Sequence, residues 1–234
     1  MKRTIIKNAK IINEEKIFDS DILIEGEFIS KIAKSISPIF PNTRIIDAEG
    51  NHIIPGIIDD QVHFREPGLT HKGNIYSESR AAVAGGITSY FEMPNTQPNT
   101  TTIDELNKKF TIAKENSIAN YSFMFGGTNS NLDEILKNNT TEIPAVKLFL
   151  GSSTGNMLVD DLNSLENIFS NVEIPIAVHC EDETTVKNNL KLHFDKFGND
   201  IPINCHPKIR SEEACYLSSS MAVNLAKKTG ARLH

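Results

Sequence analysis

The chain has 234 residues, 39% of them hydrophobic and 23% charged, a balance ordinary for a soluble globular protein. Its net charge of −6 argues against the clustered basic surface that nucleic-acid binding needs, and no apolar run approaches the roughly 20 residues that cross a bilayer. Three cysteines, Cys180, Cys205 and Cys215, show no paired spacing, which fits a reducing cytoplasm better than a disulfide framework.

The basic start, Met1-Lys2-Arg3-Thr4-Ile5-Ile6-Lys7, holds apolar runs too short for a secretory signal. Residues 1–52 read as short strands at 4–6, 10–12, 21–25, 28–32 and from 44 onward, with Gly26 as a hairpin turn and Pro38 and Pro41 in a loop. This is a small β module without a helix-length pattern.

From Ile53 the rhythm changes. Strand-like runs at 53–59, 88–93, 122–125, 145–150 and 174–179 alternate with helical segments at 77–84, 102–116, 131–137, 160–170 and 183–197. A further helix at 211–228 carries Ala214, Leu217, Met221, Ala222 and Leu225 near helical spacing, and Gly230 ends it. Ala231-Arg232-Leu233-His234 then reads as the start of a sixth strand. Repeated strand–helix units imply a parallel sheet, open or closed into a barrel. An eight-stranded barrel takes roughly 250 residues, so residues 53–234 are expected to form part of one, stopping after about five strands.

Functional side chains of such folds sit at the C-terminal strand ends, and polar candidates fall there. Asp59, Gln61 and His63 end the first strand, Asn95 follows the second, Lys147 lies on the fourth and His179 ends the fifth. Gln61 and His63, two apart, share one face of a strand and could grip one metal ion, although an amide oxygen is a poor zinc ligand beside imidazole. Taken singly, each has a plainer reading. Gln61 can be a hydrogen-bonding strand end, Arg65 an ion pair with Glu66, Asn95 a turn residue after Pro94, and Lys147 a solvated or paired lysine. Against the last, Val146 and Leu148 flank Lys147 in an apolar run where an unpaired ammonium is costly.

The stretch Pro55-Gly56-Ile57-Ile58-Asp59-Asp60-Gln61-Val62-His63-Phe64-Arg65-Glu66-Pro67-Gly68 resembles the first-strand motif of the dihydroorotases, in the amidohydrolase superfamily. Segments Arg80-Ala81-Ala82-Val83-Ala84-Gly85-Gly86-Ile87-Thr88 and Met93-Pro94-Asn95-Thr96-Gln97-Pro98 continue the match. So do Val146-Lys147-Leu148-Phe149-Leu150-Gly151-Ser152-Ser153-Thr154-Gly155-Asn156-Met157 and Val178-His179-Cys180-Glu181-Asp182. The resemblance implies an α/β fold, a (β/α)8 TIM barrel of the amidohydrolase type, truncated here after about five strands and preceded by a small β-sandwich module. It divides the chain into a β module, 1–52, and a partial metal-dependent hydrolase domain, 53–234.

It further implies the reversible zinc-dependent hydrolysis of dihydroorotate to N-carbamoyl-L-aspartate in pyrimidine biosynthesis. Lys147, carboxylated, would bridge two Zn2+ ions held also by His63 and His179. Arg65 would form a bidentate pair with the substrate carboxylate, Asn95 would bind the same end, and Asp59 would orient a ligand from behind. Gln61 stands where the family carries a histidine, which bears on one of the two metals. A further metal histidine and an aspartate base belong to strands beyond those read here, so the chain by itself is expected to show little catalysis. His234 resembles the residue before that histidine and His206 lies in a loop without motif support, so neither is assigned to metal. The assemblies implied are a homodimer or a complex with aspartate transcarbamoylase, in which a non-catalytic, dihydroorotase-like role is the alternative. Allantoinase-like and dihydropyrimidinase-like activities are a further alternative.

Overall fold

The structure is a computed structural model that describes residues 1–138, 141–151 and 157–234. It divides into two compact units, Met1–Ile57 and Ile58–His234. The division falls five residues beyond the expected boundary at 52 because His52 and Ile53 still belong to the first sheet.

The first unit is a five-stranded sheet: β1 (Arg3–Asn13), β2 (Lys16–Glu25), β3 (Phe28–Ala33), β4 (Arg44–Asp47) and β5 (His52–Ile53). Strands β3, β2, β1 and β4 lie side by side in that order, and β5 also pairs with β1. The pairings of β2 are antiparallel, whereas β4 and β5 run parallel to β1. The two expected strands at 4–6 and 10–12 are one strand with a register shift between Ile6 and Ala9. Asn8 sits in that bulge at φ 55°, a conformation asparagine tolerates, and its backbone N–H donates to Asp21 Oδ1 at 3.0 Å.

The expected β-sandwich is corrected to a single sheet among the described residues. The segments that could start a second layer, β4 and β5, both pair with β1 instead. Ile5, Ala9, Ile11 and Ile22 are buried, while Phe28, Ile29 and Ile45 remain open to solvent.

The second unit alternates strand and helix: β6 (Ile57–Val62), α1 (Ile75–Ala84), β7 (Ile87–Glu92), α2 (Ile103–Asn116), β8 (Asn120–Phe123), β9 (Phe125–Gly126), α3 (Leu132–Leu136), β10 (Val146–Phe149), α4 (Leu162–Asn171), β11 (Ile176–His179), α5 (Glu183–Phe197), α6 (His206–Ile209) and α7 (Glu212–Thr229). Strand β6 begins at Ile57 rather than Ile53, after Pro55, whose missing N–H cannot extend a ladder. The expected strand at 122–125 is divided: β8 pairs with β7, and β9 pairs with β10. Across the break, Met124 N–H donates to Glu92 O at 3.0 Å and Phe125 N–H to Ala145 O at 3.2 Å, so the strands continue as one series. Beyond β11 a sixth member begins, with His234 N–H on Ile176 O at 2.9 Å and Val178 N–H on His234 O at 2.9 Å.

Local chemistry explains the helix limits. Thr102, Asp161, Asp182 and Ser211 each accept a first-turn backbone N–H as N-caps, and Gly230 closes α7 at φ 79°. Short helix α6 and the 3₁₀ turn Ile203–Cys205 before it were expected to be loop.

Strand residues alternate between two faces. Val62, Phe64, Tyr90, Phe123, Val146, Leu148 and Ile176 point to the helices, where they pack with Leu106, Ala113, Leu165, Ile168 and Ala222. Each fully buried side chain of this size contributes about 1.5–3 kcal/mol, so this layer anchors the strands. The opposite parity, with Phe91, Met93, Ala145 and Ala177 in a second small cluster, forms the inner face. Among the described residues no helix is long and apolar enough to cross a membrane.

Candidate active site

The inner face ends in the polar residues singled out from sequence. Gln61 and His63 share the parity opposite Val62 and Phe64, and Lys147 the parity opposite Val146 and Leu148. The parallel register aligns Lys147 with Ala177 and Phe149 with His179, so Lys147 and His179 occupy the same face of neighbouring strands. The rings of Phe149 and His179 lie 6.3 Å apart, and Lys147 Nζ stands 5.2 Å from the Phe149 ring centre.

His63 lies just beyond β6, open to solvent on one side. Burial of the rest of its ring is the main cause that holds its pKa below the ordinary value. The Arg65 charge adds to this, a hydrogen bond with Asn95 opposes it, and the charges of Lys147 and Lys109 contribute further. Arg65, Asn95 and Lys147 are therefore each near enough to His63 to act on its charge. Lys147 is 4% exposed and pairs with no carboxylate among the described residues. Burial lowers its pKa from the usual lysine value, while nearby Cys180 acts in the opposite sense.

Arg65 stands in the left-handed backbone region at φ 70°. Its plainer reading as a partner of Glu66 fails: the Glu66 carboxylate accepts the backbone N–H of Ile75 at 2.8 Å, at the start of α1. Asn74 caps the same helix end by accepting from Ser77 N–H at 2.8 Å. No carboxylate pairs with the Arg65 guanidinium among the described residues.

The loop carrying Arg65 packs backbone to backbone against the loop carrying Asn95. Gln97 N–H donates to Pro67 O at 3.1 Å. Gly68, at φ 83°, lies so close to Gln97 that a Cβ there would run into its carbonyl oxygen. The Asn95 loop is tied internally by Thr96 and Thr100 N–H bonds to Pro94 O, each 2.9 Å, and by Thr96 Oγ1 on Pro98 O at 2.9 Å.

His179 is held from outside the face. Its Nε2 lies 2.9 Å from Glu181 Oε2, and Arg210 grips Glu181 through Nε and a terminal nitrogen at 2.8 Å each. Asp59 accepts the backbone N–H of Gln61 at 3.1 Å, so it braces the strand end rather than a ligand side chain. Gln61 is exposed, and the Ser152–Asn156 part of the expected motif lies outside the described residues. His206 opens α6, and His234 lies 3.6 Å from Asp60.

Two features escaped sequence reading. One is the Glu181–Arg210 pair behind His179. The other is an ion pair between Glu92, last residue of β7, and Lys109 on α2, each side chain 1% exposed. Lys109 Nζ also donates to Met93 O at 3.0 Å. Burial raises the Glu92 pKa and lowers that of Lys109, and their mutual attraction opposes both shifts. The available signal was a charge closing an apolar strand and a lysine on the helix stripe of Leu106 and Ala113.

Among the described residues no three His, Cys, Asp or Glu side chains converge as a metal site. A metal ion here would depend on Lys147 joining the two imidazoles.

No protein-family model matches the chain. A dihydroorotase of Methanosphaera stadtmanae is 32% identical over 237 residues, covering 100% of this chain and 53% of the relative. An allantoinase of Desulfitobacterium hafniense is 30% identical over 98% of this chain and 51% of its own length. The solved L-hydantoinase (dihydropyrimidinase) of Arthrobacter aurescens superposes with a TM-score of 0.92 at 28% identity, covering 100% of this chain and 52% of that one. The chain spans about half the length of the relatives it matches.

Proposed function

Starting from a chain homologous along its whole length to cyclic amidohydrolases, we propose that it contributes the metal-binding and carboxylate-recognising part of a dihydroorotase. The reaction adds water across the ring amide of dihydroorotate. The C–N bond breaks, the nitrogen takes a proton, and N-carbamoyl-L-aspartate forms, a step of pyrimidine synthesis.

The observation that carries the reading is the Arg65 guanidinium. It lies beside His63, and its adjacent carboxylate, Glu66, is committed to α1. A planar guanidinium suits a bidentate carboxylate, and a ring without one gives it no partner. That favours dihydroorotate over allantoin or a hydantoin. Asn95, close enough to His63 to favour its charged form, would bind the same end of the substrate.

The donor set fits a catalytic zinc site, which takes three protein ligands and leaves one position open. His63 and His179 would supply imidazoles, and Lys147, buried without a paired carboxylate among the described residues, fits a lysine that becomes an oxygen donor by reaction with CO2. Zinc, when bound, would polarise the ring carbonyl and activate water. Gln61 would be at most a weak fourth donor, and Asp59 would keep its strand end in place. Arg65 and Asn95 would orient the ring toward the inner face.

Gln61 favours a second reading, a non-catalytic subunit that partners aspartate transcarbamoylase. Zinc analysis of the purified protein separates the two: bound zinc supports the enzyme, and a stoichiometric complex without zinc supports the partner role. Measured on the whole protein, dihydroorotate turnover lost in both Lys147→Ala and Arg65→Ala variants supports the assigned roles, and unaltered turnover in both overturns them.

A further inference from the structure

We infer that the buried Glu92–Lys109 ion pair is a positioning device that fixes the exit of the loop carrying Asn95 and, through that loop, the one carrying Arg65. Both side chains are 1% exposed, so both charges have been taken out of water. Apolar residues of similar volume commonly stabilise a core as well as a buried ion pair does. Lys109 lies on the stripe of α2 that also buries Leu106 and Ala113, where a methionine would pack. Core stability alone therefore does not account for the pair.

Its placement does. Lys109 has three donors to distribute. One meets Glu92, another meets Met93 O at 3.0 Å, and the Phe123 ring lies 4.9 Å away. Met93 is the residue from which Pro94 and Asn95 leave β7, and its own N–H is held by Val62 O at 2.9 Å. On the other side the Arg65 backbone and charge lie close enough to the Glu92 carboxylate to favour its ionised form. Arg65 has φ 70°, a conformation costly for a residue with a side chain and kept only where its surroundings hold it. One buried pair thus grips the exit of the Asn95 loop by a carbonyl, beside the Met93 N–H that bonds Val62 O at the end of the strand leading to Arg65. The Gln97–Pro67 hydrogen bond and the close approach of Gly68 to Gln97 join the two loops farther out. Glu92 and Lys109 touch no substrate in this scheme and act through the two loops.

That Arg65 and Asn95 meet substrate rests on the function proposed above, whereas the hold of the pair on their loops does not. The test uses the double variant Glu92→Leu/Lys109→Met, whose apolar side chains fill the same space, beside Arg65→Met and the unaltered protein. In the double variant, amides of residues 63–68 and 94–98 are expected to exchange about tenfold faster, and, measured on the whole protein, KM for dihydroorotate to rise about tenfold with kcat nearly unchanged. A folded double variant with unchanged exchange overturns the inference, and faster exchange with unchanged KM overturns its bearing on the site. If Arg65→Met leaves dihydroorotate affinity unchanged, the substrate reading has failed and the exchange result alone decides. If the double variant does not fold, the uncharged Glu92→Gln/Lys109→Gln protein takes its place in the same comparison: faster exchange at residues 94–98 supports the inference, and unchanged exchange overturns it.

Discussion

The Glu66 carboxylate accepts the backbone N–H of Ile75 at 2.8 Å, which leaves its neighbour Arg65 without an intramolecular carboxylate among the described residues. An acidic side chain at a helix start satisfies an orphan donor and complements the helix dipole. Glu66→Ala is expected to lower stability by about 0.5–2 kcal/mol. Chemical denaturation checks this, with Asn74→Ala as the companion loss at the same helix end.

Gly68 joins the two recognition loops by its lack of a side chain. Gly68→Ala puts a Cβ against the Gln97 carbonyl oxygen and asks alanine to adopt φ 83°. A loss of about 1–3 kcal/mol is expected from the backbone conformation alone, together with weaker dihydroorotate binding as the loops part. Denaturation and calorimetry on the same variant measure both.

Arg210 reaches the inner face only through Glu181. Under the metal site proposed here, Arg210→Met frees Glu181 from its bidentate hold and loosens His179. Zinc affinity is expected to fall about 10–100-fold, the usual effect of removing an outer partner of a metal ligand. Titration of metal-free protein with zinc reads this without any activity assay.

Tyr90 supplies a pH dependence away from any metal ligand. Its hydroxyl donates to Ser117 Oγ at 3.1 Å, and burial pushes its pKa up from 10.0 to about 12. A folded-state pKa above the unfolded one means that the stability contribution is complete below about pH 10 and is lost as pH rises toward 12. Two units correspond to roughly 3 kcal/mol at the most. Denaturation between pH 9 and 11 should therefore show stability falling with pH, and Tyr90→Phe should flatten that arm.

Much of this architecture was legible in the sequence because it is written in local patterns. The limits of α7 follow from the spacing of its apolar residues and from Gly230, and the strand ends place Gln61, His63, Lys147 and His179 on one face by parity. Features that depend on distant partners were not legible. The bulge at Asn8 joins two apparent strands because Asp21, thirteen residues on, receives its N–H. Arg210 reads as a loop residue until it meets Glu181, 29 positions earlier. Lys109 lies within the expected helix at 102–116 with no motif to single it out, yet its helix turns it into the core toward Met93, 16 positions earlier. Among the described residues a single sheet stands where a sandwich was expected, because β4 and β5 both find their partner in β1, and pairing partners rather than strand propensity decide how many layers form.

The central claim is that Arg65 recognises a carboxylate on a cyclic amide or its opened product. The direct measurement is calorimetric affinity for N-carbamoyl-L-aspartate and for its analogue with the α-carboxylate replaced by a neutral amide, in unaltered protein and in Arg65→Met. A charge-assisted bidentate pair contributes about 1.5–3 kcal/mol, so the unaltered protein should favour the acid by about 10–100-fold and Arg65→Met should abolish that preference. Equal affinity for acid and amide in the unaltered protein, or a preference that survives in Arg65→Met, would contradict it.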